Sequence, residues 1–176
     1  MKRFSNNQAG FTLVEMLVST LIFSIIVIAI TAIFVQILDN EQRAFAAEKV
    51  QENGLYIMEL MSREIRVSQI QNQDAADCSI TALTVDHPVN GTITYSLSSG
   101  NLERTVGGVT TILNSSDVTF SRLNFCVTGS APTDKQQVRV AILASIESNS
   151  TIAKQQQVFN LETTVTSRNV TSELQQ

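Results

Sequence analysis

Apolar residues follow three different patterns along this chain. From Phe11 to Val35 they are nearly continuous, filling 19 of 25 positions. Met16 to Val35 carries no formal charge, and at about 1.5 Å per residue it makes roughly 30 Å of helix, the thickness of a bilayer's hydrocarbon core. A buried core helix rarely stays apolar on every face for so long, so the pattern predicts a membrane-spanning helix. From Gln36 to about Gln71 the apolar positions thin to a stripe, with Val50, Met58, Met61 and Ile65 spaced three to four apart beyond the first gap, which predicts that the helix continues with one buried face. One helix from Phe11 to Gln71 would be about 90 Å long. Glu59 and Arg63 stand at i and i+4, an orientation that supports an exposed helical face. Gly54 weakens the helix by about 1 kcal/mol relative to Ala and is expected to mark a bend. Met58 and Met61 fit a core stripe better than a soft-metal site.

After Asp77 the period changes to short β-rich runs separated by turn residues. Strands are expected at Ile80 to Val85, Thr92 to Leu97, Leu102 to Val106, Val109 to Leu113, Val118 to Val127, Gln137 to Ile146 and Val158 to Val165. Turns are expected at Asn90-Gly91, at Ser98 to Asn101 and at Gly107-Gly108. The expectation is therefore α+β: a long N-terminal helix packed on a mostly antiparallel sheet in a lollipop arrangement, with the residues from 169 to 176 frayed.

Composition sharpens the division. From Gln36 onward Ser, Thr, Asn and Gln supply 53 of 141 residues, an ectodomain-like polarity behind an oily segment. The formal net charge is -4 with Lys and Arg spread thinly, so no specific nucleic-acid site is evident. One His and two Cys are too few for most zinc sites. Lys2 and Arg3 precede the apolar run, whereas Asp39 and Glu41 follow it before the next cation at Arg43. The positive-inside rule then places the N-terminus in the cytoplasm and the rest of the chain beyond the cytoplasmic membrane, crossed once. A cleavable secretory signal fits poorly, because the run is long, Glu15 sits near its start, and Ile33 to Gln36 offers no small-residue cleavage site. Glu15 is the anomaly. A carboxylate well inside a bilayer costs about 3 kcal/mol or more, which marks it as functional unless it lies close enough to the interface to snorkel.

The stretch Gly10-Phe11-Thr12-Leu13-Val14-Glu15, with Lys2 and Arg3 ahead and the apolar run behind, closely resembles the class III signal of type IV pilins and of type II secretion pseudopilins. The resemblance implies a leader at 1–10, cut between Gly10 and Phe11 by a membrane aspartyl prepilin peptidase that also methylates the new Phe11 amine. It implies a retained helix, with a membrane and assembly half at 11–35 and an outer half at 36–71, ahead of a β-rich domain at 72–168. Glu15 falls at the position of the family's assembly glutamate. Leader removal would take away two of the 12 Lys and Arg and none of the 16 carboxylates, and would leave an ammonium about 6 Å of helix from Glu15. In a staggered filament, a neighbour's amino terminus would offset the burial of that carboxylate. Many major pilins carry a proline part-way along the helix; the corresponding residue here is Ala32, which favours a minor pilin or minor pseudopilin. The Met58 to Arg66 stretch loosely resembles minor subunits that prime assembly. The partners implied are the peptidase, other pilin or pseudopilin subunits contacted through the N-terminal helix, and the membrane, with a cell-surface or periplasmic filament as the destination.

Cys78 and Cys126 fall in the part placed outside the cytoplasm, where disulfides persist, so a Cys78–Cys126 bridge is expected; two buried thiols would be the reading in a reducing compartment. No catalytic constellation, cofactor motif or metal set emerges. His87 precedes Pro88 and reads as a turn residue. Asn72, Asp74 and Asp77 fit a solvated helix end better than a Ca²⁺ loop. The sequons at Asn90, Asn114, Asn149 and Asn169 read as chance in a chain rich in Ser and Thr. The expectation is a non-enzymatic structural subunit. A major pilin, or a membrane-anchored sensor or adhesin domain that keeps its leader, are the alternatives.

Overall fold

The computed structural model describes residues 10–131, 137–150 and 156–167. All but Gly10 of the expected leader, and the whole of the tail expected at 169–176, lie outside the described residues. One helix, α1 (Leu13–Val67), precedes eight strands: β1 (Ala75–Ile80), β2 (Ala82–His87), β3 (Gly91–Ser98), β4 (Asn101–Val106), β5 (Val109–Ile112), β6 (Val118–Thr128), β7 (Arg139–Ser148) and β8 (Val158–Thr166). The fold class is α+β, a long helix packed on antiparallel sheet. The chain divides into two units between Gln42 and Arg43.

In the first unit the helix is apolar on every side from Met16 to Val35, and every residue of that stretch is exposed. Phe11 and the large apolar residues from Leu13 to Leu38 all face outward. The segment is long and apolar enough to cross a membrane. Its hydroxyls are folded back onto its own backbone. Ser19 donates to the Glu15 carbonyl at 2.7 Å, Ser24 to Thr20 at 2.8 Å, Thr31 to Val27 at 2.8 Å and Thr20 to Leu17 at 3.0 Å. Each such bond satisfies a donor that lipid could not satisfy.

In the second unit the expected single sheet is two four-stranded sheets. One is a meander in the order β2-β3-β4-β5; the other has the order β1-β6-β7-β8, and every pairing is antiparallel. The expected strand at Ile80 to Val85 is the main correction. The chain bends at Thr81, and the residues on either side of it belong to different sheets, β1 beside β6 and β2 beside β3. No turn residue marks the switch, which is why the apolar alternation through Ile80, Leu83 and Val85 reads as one run. The expected hairpins at Ser99-Gly100 and Gly107-Gly108 are present. All four residues have positive φ, the geometry that matches a two-residue turn to the twist of its flanking strands.

Inward-facing residues of both sheets, among them Tyr95, Leu102, Phe120, Phe125 and Ile142, form one core with Val50, Ile57, Met61 and Ile65 of the helix. Met58 and Met61 are thus core residues. Gly54 makes no break in α1. It is buried, and a Cβ placed there would come within 2.6 Å of Leu161 Cδ1 on β8, so glycine at this position permits close approach of helix to sheet. The helix stops at Val67 rather than near Gln71. Ser68 donates to the Glu64 carbonyl at 2.7 Å and its own carbonyl accepts from the Ser167 hydroxyl, while Gln69 exchanges both backbone hydrogen bonds with Asp86 on β2. Tertiary partners therefore take over the groups that a further helical turn would have used.

Candidate functional site

The segment that carries the sequence signal is built around the start of α1. Thr12 immediately precedes the helix. Its hydroxyl oxygen accepts the Glu15 N–H at 3.2 Å and its carbonyl accepts the Met16 N–H at 3.2 Å, so Thr12 is the N-cap. Glu15 is the acidic residue of the first turn, where the helix dipole favours negative charge. Thr12 and Glu15 have the spacing of a capping box, a signal present in the sequence that motif resemblance alone had passed over. Gly10 and Phe11 lie outside the helix and are exposed, Phe11 by 77%. A Cβ added to Gly10 would touch nothing within 4 Å, so the fold places no demand for glycine there.

A second cluster lies where the late helix meets the β2-β3-β4-β5 sheet, and sequence reading missed it. Glu64 shares the inward face of α1 with Met61 and Ile65 and is buried. Arg104 Nη2 donates to Glu64 Oε1 at 2.7 Å, Arg104 Nε donates to Oε2 at 3.0 Å, and the Tyr95 hydroxyl donates to the same Oε2. Among the described residues this is the one ion pair; Glu59 and Arg63 lie on the exposed face of the helix, as expected, without closing to salt-bridge distance. Burial pushes the Glu64 carboxyl up, but the hydrogen bonds from Arg104 and Tyr95, with the charges of Arg104 and His87, outweigh it and hold the group below its ordinary value. Burial and the hydrogen bond to Glu64 push the Tyr95 hydroxyl well above its ordinary value. The hydrogen bond to Glu64 likewise raises Arg104. The signal that could have found the cluster is a charge on each apolar stripe: Glu64 between Met61 and Ile65, and Arg104 between Leu102 and Val106 at inward strand positions.

Cys78 and Cys126 form a disulfide that ties edge strand β1 to β6. Cys78 has a positive φ at the point where the β1–β6 register slips, and its carbonyl accepts from Asn124 Nδ2 at 3.0 Å. The residues considered for Ca²⁺ have other work. Asp74 Oδ1 accepts both the backbone N–H and the hydroxyl of Ser130 at 2.7 Å, bonds that lower its carboxyl. Asp77 accepts from Ser79, whose hydroxyl and backbone N–H lower it in turn. No group of three or more metal-ligating side chains occurs among the described residues. His87 ends β2 and uses Nδ1 to accept the N–H groups of Val89 and Asn90, each at 3.2 Å, which shapes the β2–β3 turn. Asn114, one of the four sequons, is buried. It accepts from Leu102 N–H at 2.8 Å and donates to the Val118 carbonyl at 2.7 Å, a structural task that leaves its amide committed. Asn169 lies outside the described residues.

No curated protein and no solved structure matches the chain. Residues 5–35 match the family model described as the prokaryotic N-terminal methylation motif. The matched stretch takes in Gly10, Phe11, the Thr12 cap, Glu15 and the exposed apolar helix. Residues 5–35 therefore carry the prokaryotic N-terminal methylation motif, the class III prepilin signal found in type IV pilins and pseudopilins.

Proposed function

We propose that this chain is a minor pilin or minor pseudopilin: a structural, non-enzymatic subunit that is cut between Gly10 and Phe11, methylated at Phe11, and drawn from the cytoplasmic membrane into a thin filament or its tip. The observation that carries the reading is the fixed spacing of Gly10, Phe11 and Glu15 ahead of an apolar helix exposed on all sides. Such a helix is stable only in lipid or among other apolar helices, and a filament core supplies the second environment once the subunit leaves the first. Lys2 and Arg3 orient the span with its start in the cytoplasm. The Cys78–Cys126 disulfide suits a globular part outside it. The partners are then a prepilin peptidase and other subunits of the same kind.

Glu15 is the assembly residue in this reading. Its carboxylate pairs with the Phe11 ammonium of a neighbouring subunit, and that pairing selects the stagger between helices. The minor assignment rests on Ala32, which lies inside α1 where many major pilins carry proline, and on the Met58 to Arg66 stretch.

Mass spectrometry of the protein from membranes containing an active prepilin peptidase tests the reading. The expected product begins at N-methylated Phe11. An intact Met1 terminus in those membranes overturns it in favour of an anchored sensor or adhesin domain. Subunit counts in sheared filaments separate minor from major, with a small fraction of the total expected.

A further inference from the structure

The helix begins at Leu13, and Thr12 is the residue that starts it there. The Thr12 hydroxyl takes the Glu15 N–H and the Thr12 carbonyl takes the Met16 N–H, both at 3.2 Å. Gly10 and Phe11 stay outside the helical ladder and exposed. Had the helix begun two residues earlier, the Gly10 carbonyl would accept the Val14 N–H and the Gly10–Phe11 peptide would be enclosed in the first turn. Asn6 and Asn7, upstream in sequence, are residue types able to cap a helix that began earlier still, at residue 7 or 8, with the same peptide inside it. Nothing around Gly10 opposes it either, since no heavy atom lies within 4 Å of a Cβ built there.

We propose that Thr12 is a positioning residue for leader removal: by capping the helix at Leu13 it keeps the Gly10–Phe11 peptide outside the helix, where a peptidase can take it. The proposal rests on the reading of that peptide as the processed bond. In the reaction, water oxygen bonds to the Gly10 carbonyl carbon and the bond from that carbon to the Phe11 nitrogen breaks. The water supplies the protons that Phe11 needs, so Gly10 leaves as a carboxylate and Phe11 as an ammonium. Thr12 takes no part in these bonds; it acts through the helix start. Glu15 cannot substitute for it, because what the cap requires is an acceptor oxygen before the first turn, not a charge within it.

The experiment compares side-chain shape with capping ability. Full-length wild type, Thr12→Ser, Thr12→Asn and Thr12→Val are reconstituted in vesicles with a prepilin peptidase, and the rate of leader loss is followed by mass. Ser and Asn cap as well as or better than Thr, whereas Val keeps the shape of Thr but has no acceptor oxygen. The expected order is wild type, Ser and Asn within twofold of one another and Val slower by about fivefold, the factor that a typical cap contributes to a local equilibrium. Amide exchange at Val14 N–H should be slower in the Val variant alone, because the longer helix gives that group the Gly10 carbonyl as its acceptor. Equal rates for all four chains overturn the proposal. So does the reverse order, with Val fast and Asn slow, which would mean that the peptidase reads the shape of residue 12 directly. If wild type itself is not cut after Gly10, the processing reading fails; if it is cut and Val is cut equally well, only the role of Thr12 fails.

Discussion

Glu64 on the helix and Arg104 on β4 face each other in a two-pronged ion pair, with N···O distances of 2.7 and 3.0 Å. Both groups are mostly removed from water, with 11% and 20% of their side chains exposed. Taking away one member strands the other, so Glu64→Ala is expected to destabilise the fold by about 2–3 kcal/mol, somewhat below the range for a fully buried pair. Replacing both residues with Met should restore part of that loss, because an apolar pair leaves no uncompensated charge. Denaturant unfolding of the full chain in detergent micelles, read as a double-mutant cycle, measures both effects. A Glu64→Ala change of less than about 0.5 kcal/mol would show that the pair is screened by solvent.

The same cluster sets a pH window. Glu64 is held below its ordinary value of 4.5 in the folded chain. The unfolded state therefore binds more protons than the folded state in the acid range, so the stabilisation is complete above the ordinary value and is lost as pH falls through the folded one. Tyr95 is raised above its ordinary value of 10.0, so the folded state keeps a proton that the unfolded state gives up, and stability falls as pH rises past about 10. Thermal melting across pH should show a plateau between these limits. Tyr95→Phe should remove the alkaline decline due to this group and Glu64→Gln its share of the acid one.

Gly54 gives a graded test of helix–sheet contact. A Cβ there meets the far end of the Leu161 side chain at 2.6 Å, and that side chain can shift. Gly54→Ala should leave stability within about 1 kcal/mol, because the gain in helix propensity offsets the displacement. Gly54→Val brings more bulk to the same place and should destabilise by about 2 kcal/mol. Equal tolerance of both in unfolding measurements would mean that β8 yields freely.

Reduction, or Cys78→Ser with Cys126→Ser, removes a cross-link of sequence separation 48 and should destabilise by about 4 kcal/mol on chain-entropy grounds. β1 has no buried residue, so the loss should appear first as faster amide exchange across Ala75–Ile80, ahead of β6 and β7.

Glu15→Ala tests the assembly role. The variant should be processed and inserted as well as wild type, since removing a carboxylate eases burial in lipid, yet it should enter sheared filaments several-fold less well. Equal incorporation at equal expression would return Glu15 to a residue that only favours the helix start. Filament number should be counted alongside subunit content, because a priming subunit acts on the first and not the second.

Much of this protein is local, and local features are written in residue order. The apolar run, the Gly10-Phe11-Glu15 spacing and the two-residue turns at Ser99-Gly100 and Gly107-Gly108 each depend on residues a few positions apart, so period and turn chemistry reveal them. The Thr12 cap is local in the same way, its Thr12-to-Glu15 spacing being written in residue order, although the motif resemblance passes over it. Other features depend on which distant segments meet. Whether Thr81 divides two strands follows from β1 lying beside β6 and β2 beside β3, and no residue at the bend announces it. The helix end at Val67 follows from Ser167 and Asp86 supplying partners to Ser68 and Gln69. The choice of Glu64 over Glu59 for an ion pair follows from Arg104 and Tyr95 arriving, 40 and 31 residues away, at the buried face. Gly54 looks like a weak point in the helix until Leu161 is seen to occupy the space a side chain would need. In each case the energy comes from desolvation and close contact between segments remote in sequence, terms that exist only once the sheets and the helix have packed.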